Sequence, residues 1–472
     1  MPPNVVYFVS ILDSKILAGY LFEKISTMKT ASSPPIRKGA PRVLIVGAGT
    51  GGLALAHGLK RAGIPVRVFE RDVNPTDDRG GFRVGISPAG SRALKACVPP
   101  DVFDLFVATC ARPPRYFSML TERFSELVSL ELEGEAADPI DGEKNVVRQT
   151  LRRVLLTGLE SEISFGKRFV AYTQDADATV AAHFEDGTSA IGDVLVGADG
   201  SGSRVRKQRL PYARQEETGI VSVGGKLPRT RETEALLSNK MLEGMSMIMA
   251  PGGFGAIIHS LDFSDKRVDP NFTKRWPDFA SAIDDDSFGW GLWGARRAFP
   301  TALRTLNPEA QIDAALEVTA TWHPHMRELI RQSDRSSVQF LSIRTSVPLP
   351  GWESSNVTLL GDAIHTMTPG RGAGANTALR DAALLCRILA HACSERASLV
   401  EAIRAYETEM LRYSTEAVLA SKQNMSEHDL IHKPVVGSMQ LATIRGAMRI
   451  VNMLPPLKRS IARKIMRVRG SN

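Results

Sequence analysis

The chain has 472 residues, 43% of them hydrophobic and 23% charged, which suits a globular enzyme of two or three domains and excludes a disordered, collagenous or disulfide-stapled chain. Its formal net charge of +8 comes with no nucleic-acid motif and no aromatic-interleaved basic groove, so it does not point to a nucleic-acid partner. Four cysteines, Cys97, Cys110, Cys386 and Cys393, lack CxxC spacing and are too few for a disulfide framework, which points to a reduced, cytoplasmic compartment.

Residues 1–40 stand apart as an extension. Val5 to Phe22 is apolar, but Asp13 and Lys15 interrupt it and it falls short of a membrane span. No basic segment precedes it, which argues against a secretory signal. Thr30 to Pro41 is rich in Ser, Pro and Lys and reads as a tether.

The first structured stretch is Arg42 to Asp72. Val43 to Val46 is a buried parallel strand in composition, followed by Gly47, Gly49 and Gly52 in GxGxxG spacing, a helical run from Leu53 to Arg61, and a second strand, Val66 to Phe69, ending in Glu70. Gly47 permits the tight turn, Gly49 lets the backbone approach a pyrophosphate, and Gly52 lets helix and strand pack closely. The helix start offers unpaired N–H groups and a positive dipole end to phosphates. Glu70 is placed to accept ribose hydroxyl hydrogen bonds and would repel a 2′-phosphate, which favours FAD or NAD at this site over NADP.

Gly80 to Ile86 reads as a loop returning to the nucleotide, with Arg83 able to face a phosphate; Ser87-Pro88 then caps a helix from Ala89 to Cys97. Alternation from Arg115 to Leu132 predicts a hairpin in a second, antiparallel sheet. Asn145 to Leu159 passes from a short strand into an amphipathic helix, with Arg148 at the joint and Arg152 and Arg153 expected toward solvent. Further strands follow at Lys167 to Gln174 and Thr179 to Phe184. Asp193 to Val196 then delivers Asp199 and Gly200 in a glycine loop backed by Arg204, Arg206, Lys207 and Arg209.

Residues 210–345 lose the βα rhythm. Strand-like pieces recur at Ile220 to Lys226, Met245 to Met249, Gly255 to Ser260, Trp290 to Trp293 and Val338 to Pro348, with one amphipathic helix from Glu309 to Arg331. Met247, Met249, Phe254, Trp290 and Trp293 serve either as core or as a substrate wall. His323 and His325 lack further ligands at metal spacing and read as structural, so no metal site is expected. Val357 to Leu360 is a strand that ends at Gly361-Asp362, and a Pro/Gly loop with Pro369, Gly370, Gly372 and Gly374 leads into a helix near Asn376. Asp362 can bind a polyol hydroxyl, and the helix start would face a group that gains negative charge. The helical run extends to about Ser426. Leu457 to Arg469 is a basic amphipathic helix, read first as a terminal helix packed on the body and second, without being favoured, as a membrane-surface contact.

Three segments in this order resemble the single-component (group A) flavoprotein monooxygenases, the FAD-dependent aromatic hydroxylases typified by p-hydroxybenzoate hydroxylase: GAGTGG ending in Glu70, DVLVGADGSGSRVR from Asp193, and GDAIHTMTPGRGAGAN from Gly361. The likeness spans about residues 42–390. It implies that Gly47, Gly49 and Gly52 line the FAD pyrophosphate and Glu70 the adenosine ribose. Arg148 would lie near the ribityl–pyrophosphate, with Asp199 and Gly200 as the DG pair. Asp362 would bind the ribityl chain, Gly372, Gly374, Ala375 and Asn376 would face the isoalloxazine, and Pro369 would line the active site. Arg371 departs from the pattern as a bulky charge in that loop, and no residue matches as catalytic base.

The implied fold is α/β: a Rossmann-like FAD-binding domain (41–115, 145–209 and 346–392) with an inserted β-rich α+β substrate domain (hairpin 116–144 and 210–345) and C-terminal helices (393–472). The implied function is oxygen transfer to a small aromatic, polycyclic or unsaturated substrate through a flavin C4a-hydroperoxide, using O2 and a transiently bound NADPH or NADH, by a monomer or homodimer. Arg204, Arg206 and Lys207 are candidates for the nicotinamide groove. The alternatives are a reductase or other FAD oxidoreductase on the same scaffold, or a non-catalytic FAD-binding protein.

Overall fold

A computed structural model describes residues 39–75, 83–132, 139–175, 179–264, 270–282, 285–423 and 425–471. The extension up to residue 38 and the glycines Gly80 and Gly81 lie outside the described residues.

Strand β1 (Val43–Val46) is buried along its whole length, as a central parallel strand covered on both faces should be. Helix α1 (Thr50–Arg61) and strand β2 (Val66–Phe69) complete a βαβ unit, with Val43 opposite Val66 in parallel register. Next come β3 (Arg83–Ile86), α2 (Pro88–Cys97) and α3 (Pro100–Ala108). Ser87 caps α2, its hydroxyl accepting from Gly90 N. The expected hairpin is β4 (Tyr116–Thr121) and β5 (Glu126–Glu131). β6 (Lys144–Val147) runs directly into α4 (Arg148–Leu156) and pairs antiparallel with β3, Arg83 opposite Val147. From Arg83 onward the segment expected as a loop is therefore half of a two-stranded ribbon.

β7 (Ile163–Ser164) edges the parallel sheet, while β8 (Phe169–Gln174), β9 (Val180–Phe184) and β10 (Ser189–Gly192) form an antiparallel meander. β11 (Val194–Gly197), fully buried, leads into α5 (Arg204–Arg209). The β-rich region supplies β12 (Gln215–Pro228), β13 (Gly244–Met249), β14 (Gly255–Leu261), β15 (Ser287–Ala295) and β16 (Gln339–Ser346). The single helix expected before β16 is two, α6 (Pro308–Val318) and α7 (Pro324–Arg331). Pro324 has no N–H to continue a helix, and His323 caps the restart, its ring nitrogen accepting from His325 N at 3.2 Å. The chain ends with β17 (Val357–Leu359), α8 (Asp362–His365), α9 (Gly374–Glu395), α10 (Leu399–Lys422), α11 (Pro434–Met453) and α12 (Pro455–Ser471).

The parallel sheet has the order β17-β11-β1-β2-β7, and the large sheet runs β16-β12-β15-β14-β13-β4-β5. The first core joins the parallel sheet to α1, α9 and α10. The second lies between one face of the large sheet and α6 and α7, and takes in Trp290 and Phe254, so those two aromatics are core. Trp293 and Met247 take the opposite face of the strands, half-buried. Each fully buried Leu or Ile here contributes about 1.5–3 kcal/mol, enough in sum to hold the strand ends rigidly.

Candidate functional site

Four parallel strands end side by side, and each delivers a residue that the sequence singled out. β1 runs into Gly47, β2 into Glu70, β11 into Asp199 and β17 into Asp362. Ligands of doubly wound sheets bind at this carboxyl edge. Backbone bonds hold the ends level: Gly47 N donates to Phe69 O at 2.9 Å, Ala198 N to Val46 O at 2.8 Å, and Leu360 N to Gly197 O at 3.0 Å.

The three glycines of the first turn are required for different reasons. Gly47 has φ of +110°, and a Cβ there would stand 2.3 Å from the Ala198 carbonyl oxygen; one on Gly52 would stand 2.2 Å from the Gly47 oxygen. A Cβ on Gly49 would meet nothing within 4 Å, so its face is open. Gly49 is also the N-cap of α1 and offers no side-chain cap, which leaves first-turn N–H groups for an anion.

Glu70 is buried at the end of β2. One carboxylate oxygen accepts from Ala48 N at 2.7 Å and the other from Asp72 N at 3.0 Å, so the acid also fixes the glycine turn. Arg152 does not face solvent as expected: its guanidinium lies 2.9 Å from Asp72 and 3.9 Å from Glu70. Asp72 draws it inward from the middle of α4, whereas Arg153 remains on the surface over the Phe279 ring. Arg83 donates to the Asn145 side chain at 2.6 Å across the ribbon. Arg148 is exposed at the first position of α4, and its charge acts on the Asp362 carboxyl.

Asp199 turns back on its own loop, accepting from Ser203 Oγ at 2.5 Å and Arg204 N at 2.7 Å. Burial pushes its carboxyl above the usual range against those donors. Gly200, with φ of +76°, makes the turn. The basic group behind it is exposed only in part. Arg206 is buried, donating to Ala363 O at 2.8 Å and Ser201 O at 3.0 Å, and Arg204 donates to Phe169 O at 2.8 Å. Lys207 stays exposed.

Asp362 is open to solvent but walled by protein on most sides. That surrounding raises its carboxyl above the usual value, with His365 and Arg148 opposing the rise. The start of α9 adjoins it, since a Cβ on Gly374 would lie 3.8 Å from Asp362 Oδ1. That helix also begins without a capping side chain. Pro369, Gly370 and Arg371 form an exposed turn before Gly372, which has φ of +60°, and Ala375 is half-buried in the first turn of α9. Asn376 works as a staple: Oδ1 accepts from Ser87 N at 2.9 Å, and Nδ2 donates to Gly85 O and Gly372 O, each at 3.0 Å.

Sequence reasoning missed the support beneath Asp362. Asp381, fully buried on α9, accepts from Gly361 N at 2.8 Å, His365 Nε2 at 2.6 Å and Tyr413 Oη at 2.6 Å. Burial opposes a charge on His365, but Asp381, aided by Asp362, outweighs it and raises the imidazole above its ordinary 6.5. The available signal was a lone carboxylate in the apolar stripe of Leu379, Ala382 and Leu385. His259 was also missed. It is buried on β14 over Gly289, neither ring nitrogen has a hydrogen-bond partner among the described residues, and burial with help from Arg83 lowers its pKa to about 3. His323 and His325 are engaged elsewhere, the first stacked on Phe124 at 4.9 Å and the second 3.0 Å from Leu236 O.

This edge defines a dinucleotide-binding protein of the glycine-turn type. Known proteins narrow the class. An FAD binding domain family matches residues 308–421. The dual O-methyltransferase/FAD-dependent monooxygenase of Cercospora beticola is 34% identical over 371 residues, covering 74% of this chain and 42% of that protein; the chain thus spans under half the length of that relative. A crystal structure from Photorhabdus luminescens, assigned as an FAD-containing monooxygenase, is 32% identical with a TM-score of 0.71, covering 82% of this chain and 98% of the other. The 6-hydroxynicotinate 3-monooxygenase of Bordetella bronchiseptica is 26% identical over 356 residues, covering 74% of this chain and 83% of that protein. The chain belongs to the FAD-dependent monooxygenases, in the group A aromatic-hydroxylase-like family. Its residues fit the cofactor of that family: two uncapped helix N-termini, open space over Gly49 and Gly372, and an accessible carboxylate at Asp362.

Proposed function

We propose that the protein is a monooxygenase that takes electrons from NADPH or NADH and places one atom of O2 on an activated small aromatic, polycyclic or unsaturated substrate. The observation that carries this reading is the junction of Asp362 with the uncapped start of α9, opposite the uncapped start of α1 on the same sheet edge. Bound FAD would supply electron transfer and activation of O2. The α1 N-terminus with Gly47, Gly49 and Gly52 would hold the pyrophosphate, with Glu70 at the adenosine ribose. Asp362 would hold the ribityl hydroxyls, with Arg148 and Arg83 toward the phosphates. Backbone N–H groups at the start of α9, Gly374 to Asn376, set by the Gly372 turn before them, would stabilise negative charge that develops on the ring, as preorganised donors do, and Pro369 would border the substrate. Asp199 and Gly200 would shape the loop under the cofactor rather than reach it through a free carboxylate.

The half-buried face of the large sheet, with Met247, Ile257 and Trp293, would wall the substrate and exclude water. An aromatic substrate is supported by the likeness to 6-hydroxynicotinate 3-monooxygenase. A reduced cytoplasmic setting suits the four cysteines, which form no disulfide among the described residues, and a monomer or homodimer is the working assembly. The test is NADPH and NADH oxidation by the FAD-loaded protein across a panel of phenols and polycyclic aromatics under isotopically labelled O2. The reading requires one labelled oxygen in the product. A protein that takes up no FAD, or oxidises the nicotinamide without ever labelling a product, overturns it.

A further inference from the structure

The end of the chain holds its entire charge imbalance. From Leu430 to Asn472 the sequence has nine Lys and Arg and no Asp or Glu, whereas residues 1–429 carry 50 Lys and Arg against 51 Asp and Glu. This basic segment forms α11 and α12, and α11 is anchored in place. Met448 and Val451, with Ala462 of α12, pack on Val128 and Leu130 of β5. Arg445 bonds to Glu122 and the Met249 carbonyl, and Asn452 donates to Glu126 at 3.0 Å.

The opposite side of α11 is also apolar. Val435, Met439, Ile450 and Met453 recur at helical spacing and are 72%, 68%, 60% and 77% exposed. At 1.5 Å per residue the stripe is about 27 Å long. A second apolar face on a helix needs cover of its own, and this side has none among the described residues. Exposed Arg449 lies one turn from Met453, and exposed Arg459 and Arg463 follow on α12. Apolar length bordered by cations without carboxylates is the pattern of a helix that lies in a membrane interface. No helix among the described residues is long and apolar enough to cross a membrane.

We propose that this face docks the protein on an anionic lipid surface, with α11 flat in the interface and the cations at headgroup level. Charge favours that occupant over the others. A second copy would bring two cationic faces together, which costs rather than stabilises. Residues 1–38 carry five Lys and Arg against two Asp and Glu, so they offer no counter-charge either.

The experiment is co-sedimentation of the full-length, FAD-loaded protein with phosphatidylcholine vesicles, with and without phosphatidylserine, at two salt concentrations. The protein should pellet with phosphatidylserine vesicles, less so at high salt, and remain in solution with phosphatidylcholine. Met439→Asp with Met453→Asp, and separately Arg449→Glu with Arg459→Glu, should each weaken binding roughly tenfold or more, with thermal midpoint and turnover in solution unchanged. Binding that ignores phosphatidylserine, or survives both pairs of substitutions, overturns the proposal. So does a concentration-dependent dimer that the methionine substitutions abolish in a protein that binds no vesicles, which assigns the face to a second copy. Vesicle binding that appears only after removal of residues 1–38 assigns the face to that segment and likewise overturns it.

Discussion

Asp381→Ala removes the acceptor for three buried donors at once: Gly361 N, His365 Nε2 and Tyr413 Oη. A stranded buried donor costs about 1–3 kcal/mol, and breaking a buried ion pair from one side costs about 3–5 kcal/mol. Against a typical total of about 5–15 kcal/mol, the Ala variant should be severely destabilised. Asp381→Asn is the sharper test. It keeps the shape and one acceptor for Gly361 and His365, and it turns an amide N–H toward Tyr413, whose hydroxyl can accept. What it loses is charge, and hydrogen bonds to charged groups contribute about 1.5–3 kcal/mol. Because Gly361 N fixes the turn that presents Asp362, FAD affinity should fall with stability, by about tenfold for ~1.4 kcal/mol. The pH dependence has a defined sign. The folded His365 pKa lies above 6.5, so its contribution is complete below pH 6.5 and is lost as pH rises through the folded value. Asp381→Asn should flatten that alkaline decline. The assays are urea unfolding of the cofactor-free protein across pH and titration of FAD by its fluorescence. An Asn variant within about 0.5 kcal/mol of wild type, with an unchanged pH profile and FAD affinity, refutes the reasoning.

The glycine turn makes a paired prediction. Gly52→Ala should destabilise the fold by about 1–3 kcal/mol, because its Cβ would stand 2.2 Å from a backbone oxygen, whereas Gly49→Ala should unfold like wild type and weaken FAD binding by roughly tenfold or more, ~1.4 kcal/mol; urea midpoints and FAD titrations separate the two. Asp362→Asn should move stability and binding in opposite directions. The carboxyl is raised above 3.8 by its surroundings, so its favourable contribution is complete below pH 3.8 and is lost as pH rises through the folded value. Removing the charge should therefore raise the thermal midpoint of the cofactor-free protein at neutral pH while FAD affinity falls. Cys97, whose thiol burial pushes up to about 12, and Cys386, pushed up to about 11, should resist alkylation in the folded protein and react on unfolding, as mass spectrometry would record.

What could be read from the sequence was what the backbone constrains locally. Gly47 and Gly52 announce themselves because no other residue fits their positions, and the apolar runs at β1 and β11, with β2 interrupted only by exposed Arg67, read as covered parallel strands. Those two signals already bring Gly47, Glu70 and Asp199 to one edge. What escaped is what only distant partners decide. Arg152 and Arg206 look like surface charges in sequence, and turn inward, the first half-buried and the second buried, only because Asp72 and the Ala363 carbonyl, far away in the chain, come to meet them. Asp381 likewise needs Gly361, His365 and Tyr413 before its burial makes sense. α11 went unread for the opposite reason. With Met448 and Val451 packed on β5 and Met439 and Met453 facing out, it carries apolar residues on two sides, and they show no one-sided period. A helix whose sequence hides its inner face is one whose outer face also resembles a core, and it is that outer face, bordered by the chain's unbalanced cations, that calls for a surface to lie against.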